Sequence, residues 1–168
     1  MSETNYKPLL NNVKAFIFDV DGVLTDGKLH ISENGELLRQ MNVKDGYALK
    51  HALNKGYEIC IISGGKNPAV KSRLEGLGIT KVYLGIDNKI ESLDEFSNLN
   101  DIPFESMCYM GDDIPDIPVM KVVGLAVCPQ DAVPEVKAIS HYISHKNGGD
   151  TCVRDIIEQV LKVQNNWL

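Results

Sequence analysis

The feature that most constrains this chain is the junction Phe16-Ile17-Phe18-Asp19-Val20-Asp21-Gly22-Val23-Leu24-Thr25. Ala15 to Phe18 is a short apolar run, suited to a strand buried on both faces. Two carboxylates spaced two apart follow at once, and then Gly22, which admits backbone angles that other residues resist. If Asp19 closes the strand, both acids stand at its carboxyl end, the edge on which open α/β sheets bind their ligands. Acids this close repel each other unless a cation lies between them or one keeps a proton. On its own Asp-x-Asp is also an ordinary surface turn, since Asp and Gly are common turn residues. The remainder of the chain has to choose between these readings.

Downstream, strand and helix signals alternate. Leu29 and Ile31 alternate with polar neighbours, and Asn34-Gly35 is a strong hairpin turn, so residues 28–41 read as a hairpin. Asp45 is placed to cap a helix running to Lys55, with Gly56 at its end. Residues 57–62 form a second buried strand ending in Ser63-Gly64-Gly65-Lys66. Asn67-Pro68 then starts a helix that stops at Gly78. A third strand over 80–84 leads to a helix from Lys89, and a fourth over 107–110 delivers Gly111-Asp112-Asp113. A short helix over 113–120, limited by Pro118, precedes a fifth strand (122–127), a helix (132–138) and a short strand at Tyr142 and Ile143. Residues 146–149 read as a flexible link to a last helix over 151–163. This pattern is α/β: a three-layer, Rossmann-like parallel sheet with helices on both faces, right-handed crossovers and a small hairpin after the first strand.

With 168 residues, 43% hydrophobic and 24% charged, the whole chain (1–168) suits a single domain. Its first 12 residues read as a flexible polar tail, and 144–168 as a C-terminal tail and helix. A net charge of −6 argues against general nucleic-acid binding but leaves room for an anionic substrate in one locally positive cleft. No apolar run is long enough to span a membrane and Met1 opens no basic-then-apolar leader, so a cytoplasmic location is expected. Cys60, Cys108, Cys128 and Cys152 form no Cys-x-x-Cys pair and read as buried free thiols. His141 and His145 flank strand-like residues and do not suggest a shared metal face.

Parallel strands bring their carboxyl ends to one rim. There the order of the chain places Asp19 and Asp21, then Ser63, then Lys89, then Asp112 and Asp113. A solvated rim would also be polar, but several acids with one hydroxyl and one ammonium match what phosphoryl transfer requires. Carboxylates hold Mg²⁺, the ion and the lysine neutralise phosphoryl oxygens, and the hydroxyl donates to another.

These residues resemble the haloacid dehalogenase superfamily of aspartate-nucleophile phosphatases. Its four motifs occur in order: Asp19-Val-Asp21-Gly-Val-Leu-Thr25, Ser63, Lys89, and Gly111-Asp112-Asp113-Ile-Pro-Asp116. The resemblance implies that Asp19 is the nucleophile and Asp21 the acid and base. It also implies Mg²⁺ on Asp19, the Asp21 backbone carbonyl and Asp112, phosphate contacts from Ser63, Gly64 and Lys89, and outer-shell roles for Asp113 and Asp116. Neither gap between motifs has room for a cap domain.

The capless type with this hairpin is similar to the 3-deoxy-D-manno-octulosonate 8-phosphate phosphatase family. The further likeness lies in Asp26-Gly27, Asn42-Val-Lys44-Asp45-Gly46, Lys66-Asn-Pro68 with Arg73, and Gly148-Gly149 with Arg154. It implies a phosphorylated sugar-acid substrate met by Lys44, Asp45, Gly46, Lys66 and Arg73. It also implies a homotetramer in which hairpins pack together and the glycine-linked tail serves as a lid on a neighbouring subunit. Departures are Lys44 where the family more often has arginine, and Asp150 and Thr151-Cys152 after the glycines. Alternatives are a phosphatase for a nine-carbon sugar acid, 2-keto-3-deoxynononate 9-phosphate or an N-acylneuraminate 9-phosphate, a non-catalytic domain of this fold, and a phospho-accepting receiver domain.

Overall fold

The structure, a computed structural model, describes residues 5–168. In chain order its elements are β1 (Ala15–Phe18), β2 (His30–Ile31), β3 (Leu37–Leu38), α1 (Val43–Asn54), β4 (Glu58–Ile62), α2 (Pro68–Glu75) and β5 (Lys81–Tyr83). They continue with α3 (Lys89–Asn100), β6 (Met107–Met110), α4 (Ile117–Met120), β7 (Leu125–Cys128), α5 (Pro134–Ile139), β8 (Tyr142–Ile143) and α6 (Cys152–Val163). Six strands form one parallel sheet in the order β5-β4-β1-β6-β7-β8. The chain runs outward from β1 through β4 to β5, then returns to β6 on the other side. That reversal opens a crevice at the carboxyl ends of β1 and β6.

The period-2 alternation of side chains divides each strand between two cores. Phe16, Phe18, Ile59, Ile61, Cys108 and Met110 pack on one face with residues of α1, α2 and α6. Ile17, Cys60, Ile62, Met107 and Tyr109 pack on the other with residues of α3, α4 and α5. Both faces are therefore covered, as the uninterrupted apolar strands require. Between β1 and β4 lie the turn Val20–Leu24, the β2–β3 hairpin and α1, and between β4 and α3 lie α2 and β5, so neither gap holds a cap domain.

Helix starts follow side-chain chemistry. Asn67 accepts from Ala69 N at 2.8 Å with Pro68 in the first turn, as expected. The cap of α1 is Asn42, which accepts from Lys44 N at 2.9 Å, and the expected cap, Asp45, is buried inside the helix. Its Oδ1 accepts from Arg154 N (2.8 Å) at the start of α6, so it supports a different helix from the one it belongs to. Two prolines break the expected 113–120 helix into a 3₁₀ turn, Ile114–Asp116, followed by α4. The fifth strand begins only at Leu125, because residues 122–124 turn so that Gly124 N reaches Phe104 O at 2.9 Å.

Both terminal expectations need correction. Of the 12-residue tail, 1–4 lie outside the described residues. Lys7–Asn12 is a docked 3₁₀ turn with Leu10 buried, and Tyr6 stacks on Tyr142 while its hydroxyl donates to Gln159 Oε1 (2.7 Å). Residues 146–149 are no flexible link. Gly148 N donates to Asp131 Oδ1 (2.9 Å) and Gly149 N to Val23 O (3.0 Å), clamping the segment onto the loop after β1. The helix of the 144–168 segment packs on its own domain. In α6, Val153, Ile156, Ile157, Val160 and Leu161 are all buried at helical spacing, each stabilising by about 1.5–3 kcal/mol over exposure.

A Cβ on Gly148 would lie 2.0 Å from Gly22 O, whereas one on Gly35 (φ +80°) would meet nothing within 4 Å. Gly148→Ala is expected to cost about 3 kcal/mol or more by overpacking immovable backbone. Gly35→Ala should cost about 1 kcal/mol, from its positive φ alone. Thermal unfolding of the two variants checks the ranking, and equal losses would show that the Gly148 segment is loosely held.

Candidate active site

Asp19 ends β1 in extended conformation, and its Oδ1 accepts from Val20 N at 2.7 Å, which aims the carboxylate out of the strand end. The next turn closes when Thr25 N meets Val20 O (3.1 Å). Gly22 sits at φ +86°, where its missing side chain also matters: a Cβ there would lie 2.0 Å from Asp112 Oδ2. Thr25, buried, accepts from Gly22 N (3.3 Å) and Gly27 N (3.2 Å), so this threonine holds the loop's shape.

Lys89, at the start of α3, reaches back to this loop. Its buried ammonium lies 3.1 Å from Asp19 Oδ2 and 2.7 Å from Asp116 Oδ1. Asp116 is fully buried and accepts from four donors: Lys89 Nζ, Tyr109 OH (2.6 Å), Asp112 N (3.0 Å) and Asp113 N (3.3 Å). That full set of partners is what allows a carboxylate to stay inside the protein. Asp113 caps the 3₁₀ turn through Ile114 N (2.7 Å). Ser63, buried at the end of β4, accepts from Gly65 N at 3.2 Å. Asp19, Asp21, Ser63, Gly64, Lys89 and Asp112 all line one cleft of about 480 Å³ at the crevice.

Burial pushes the Asp19 carboxyl up to about 6, with Asp116 adding to the rise and Lys89 opposing it. Burial likewise lifts Asp112 to about 7, helped by the nearby charges of Asp116, Asp19 and Asp113. Burial opposes the charge on Lys89, but Asp116 and Asp19 together outweigh it and raise its pKa. The cleft thus has more carboxylate than its one buried ammonium balances. Asp19, Asp112 and Asp116 can bring one oxygen each within 4.8 Å of one another. Asp116 is committed to its four donors, so Asp19 and Asp112 are the pair left for a cation, beneath the loop backbone at Gly22. An all-oxygen donor set fits a hard divalent ion such as Mg²⁺.

Every motif residue expected at the rim is brought together here, including Asp113 and Asp116 at the far wall. The five residues expected to meet the sugar acid are not part of this cleft. Lys44 lines a separate groove with His145 and Arg154. Asp45 is buried and capping, as described, and burial raises its pKa to about 6. Gly46 lies against Arg73, itself in a shallow groove with Leu38, Asn67 and Val70. Lys66 is exposed and packs across Gly85.

Two residues of the site were not foreseen. Tyr109 is on the apolar strand β6, and nothing local marks its hydroxyl as a partner of Asp116. Arg39 follows β3 and grips Asp21, with Nε 2.6 Å from Oδ1 and Nη2 3.1 Å from Oδ2. The charge of Arg39 beside two apolar residues was a visible signal, but its partner is 18 positions away.

Comparison with known proteins bears on this geometry. Residues 85–156 match the model for haloacid dehalogenase-like hydrolases. The chain is 39% identical over 153 residues to the 3-deoxy-D-manno-octulosonate 8-phosphate phosphatases of Salmonella typhi and Escherichia coli K12, spanning 91% of this chain and 81% of each of those proteins. The crystal structure of the Yersinia pestis phosphatase superposes with a TM-score of 0.95 at 32% identity, covering 98% of this chain and 89% of that one. The Moraxella catarrhalis phosphatase, crystallised with magnesium ion, phosphate ion and KDO, gives a TM-score of 0.92 at 31% identity, covering 96% and 92%. This chain belongs to the 3-deoxy-D-manno-octulosonate 8-phosphate phosphatase family of haloacid dehalogenase-like hydrolases.

Proposed function

We propose that this protein is a Mg²⁺-dependent phosphatase that hydrolyses the phosphate monoester of 3-deoxy-D-manno-octulosonate 8-phosphate. The observation that carries this reading is the placement of Asp19, 3.1 Å from the Lys89 ammonium and in one cleft with Asp112, at the carboxyl end of the central strand. Relatives named for this substrate, and one crystallised with magnesium, phosphate and KDO, support the choice of substrate and metal.

Asp19 is the nucleophile. Val20 N fixes its Oδ1, which leaves Oδ2 at the cleft side beside Lys89. Attack forms the Asp19–phosphorus bond and breaks the bond to the sugar oxygen, which takes a proton from Asp21. Asp21 then takes a proton from the water that attacks the aspartyl phosphate, and Asp19 is released. Lys89, Ser63 and Gly64, all lining the cleft, contact phosphoryl oxygens. Asp19, Asp112 and the Asp21 backbone carbonyl would hold Mg²⁺, which supplies positive charge to the transferring phosphoryl group. Asp113 and Asp116 support the site, Asp116 by holding Lys89.

The working form is a homotetramer. Leu29, Ile31, Leu37 and Leu38 expose apolar surface on the hairpin, Ile31 to 69%, which a second copy of the chain would cover. No helix among the described residues is long and apolar enough to cross a membrane, which is compatible with a cytoplasmic enzyme.

Asp19→Asn should abolish Mg²⁺-dependent phosphate release while leaving the fold intact. A panel of eight- and nine-carbon sugar-acid phosphates assayed on wild type should rank the eight-carbon ester first, and a nine-carbon preference would overturn the substrate assignment. Metal-free stability provides a second check. Asp19 and Asp112 titrate near 6 and 7 when folded but near 3.8 when unfolded, so the native state holds more protons between these values. Their contribution to stability therefore falls as pH rises from about 4 to 7. Added Mg²⁺ should raise Tm more at pH 8 than at pH 5, and a Tm gain independent of pH would contradict a carboxylate site. Finally, Ile31→Asp should shift the sedimentation coefficient towards that of a smaller species; an unchanged value would remove the hairpin from the interface.

A further inference from the structure

Asp21 is not a free carboxylate in an open cleft. Arg39 holds both of its oxygens, Nε to Oδ1 at 2.6 Å and Nη2 to Oδ2 at 3.1 Å, in a two-point fork. The arginine is itself fixed. Its Nη1 donates to Leu37 O (3.0 Å), and that same carbonyl accepts from Asn67 Nδ2 (3.0 Å), which ties the hairpin to the start of α2. Only 9% of the Arg39 side chain is exposed, and its Nη2 would lie 3.3 Å from a Cβ on Gly65, so it is wedged between hairpin and Ser63 turn. Gly65 leaves room for the guanidinium where a larger residue would displace it.

We infer that Arg39 is a positioning residue that orients the Asp21 carboxyl for both halves of the reaction, making the hairpin part of the catalytic framework. The inference rests on the reading of Asp21 as acid and base. In the first half the Asp21 proton must reach the departing sugar oxygen, and in the second the same carboxylate must reach the attacking water. Both transfers need hydrogen-bond reach at a defined angle. A carboxyl held at one oxygen can still rotate about its last torsion. A planar fork binding both oxygens removes that rotation, and a lysine cannot reproduce it. In this role Arg39 acts through Asp21, the group it holds.

The test uses full-length protein with Mg²⁺, comparing wild type, Arg39→Met and Arg39→Lys on 3-deoxy-D-manno-octulosonate 8-phosphate and on p-nitrophenyl phosphate. Arg39→Met should lower kcat on the sugar ester about 100-fold, part of what a general acid–base supplies, with KM changed less than about threefold. On p-nitrophenyl phosphate, whose leaving group needs no proton, bond cleavage should persist while hydrolysis of the intermediate slows. Acid-quenched samples should then show a protein mass increased by one phosphoryl group. Arg39→Lys should recover no more than about a tenth of the lost rate. An effect confined to KM would make Arg39 a substrate contact, full recovery with lysine would leave only its charge, and an unchanged kcat per folded molecule would leave only a structural role; each overturns the inference. Independently of turnover, Tm shifts of Arg39→Met, Asp21→Asn and the double variant should be non-additive, and additive shifts would show that the pair is not formed in solution. If wild type releases no phosphate from either ester, the functional reading itself fails, and the thermal cycle still decides whether Arg39 holds Asp21.

Discussion

The site depends on one buried ammonium. Lys89 Nζ stands between Asp19 and Asp116 with its side chain 5% exposed, and it is the cation that permits acidic groups to collect at the end of a hydrophobic strand. Removing a partner from such a buried arrangement typically costs about 3–5 kcal/mol, because the groups left behind keep their charge without compensation. The second partner, Asp116, is in turn held by Tyr109 and by two backbone N–H groups of the loop after β6. A single carboxylate thus joins helix α3, strand β6 and the Asp112–Asp113 turn. Burial, and then the neighbouring charges of Asp116, Asp19 and Asp113, raise the Asp112 pKa, and the same surplus of negative charge suits the cleft to a divalent ion.

The loop after β1 is the second meeting point. Its backbone at Gly22 lies against Asp112 on one side and Gly148 on the other, so close that a Cβ on Gly22 would strike the Asp112 carboxylate and one on Gly148 would strike Gly22 O. Through Gly149 N and the Cys152 thiol, which both reach Val23 O, the loop is also bound to the start of α6. The start of the terminal helix is therefore fastened directly to the catalytic loop. The hairpin stands in the opposite relation: its regular pairing is short, its outer leucines are exposed, and its firm attachments are Leu37 O and the Arg39–Asp21 fork.

Most of the architecture was legible because parallel α/β folds repeat a simple code. Apolar runs such as Phe16–Phe18 and Met107–Met110 must be buried on both faces, and chain polarity sends the residue after each strand to the same rim. Asp19, Ser63, Lys89 and Asp112 could be placed there without coordinates. Less legible were features whose local signal has two meanings. Asp45 looked like a cap and is one, but for α6 through Arg154 N instead of for its own helix. Gly148-Gly149 looked like a hinge because glycine is flexible in isolation; here the missing side chains allow two backbone segments to touch, which immobilises them. Lys44, Lys66 and Arg73 are expected on family likeness alone, and within one chain they lie on α1, the Ser63 turn and α2, outside the lining of the phosphoryl cleft.

The sequence by itself determined the order of strands and helices, the two-sided core and the set of groups delivered to the rim. These follow from side-chain periodicity and from where each strand ends, both properties of neighbouring residues. Only the tertiary structure decided which of those groups hold one another: Lys89 with Asp116 and Tyr109, Arg39 with Asp21, Gly148 with Gly22. Such pairings join residues far apart in the chain, and a hydrogen bond or a backbone contact depends on separations of a few tenths of an ångström, which no local pattern encodes.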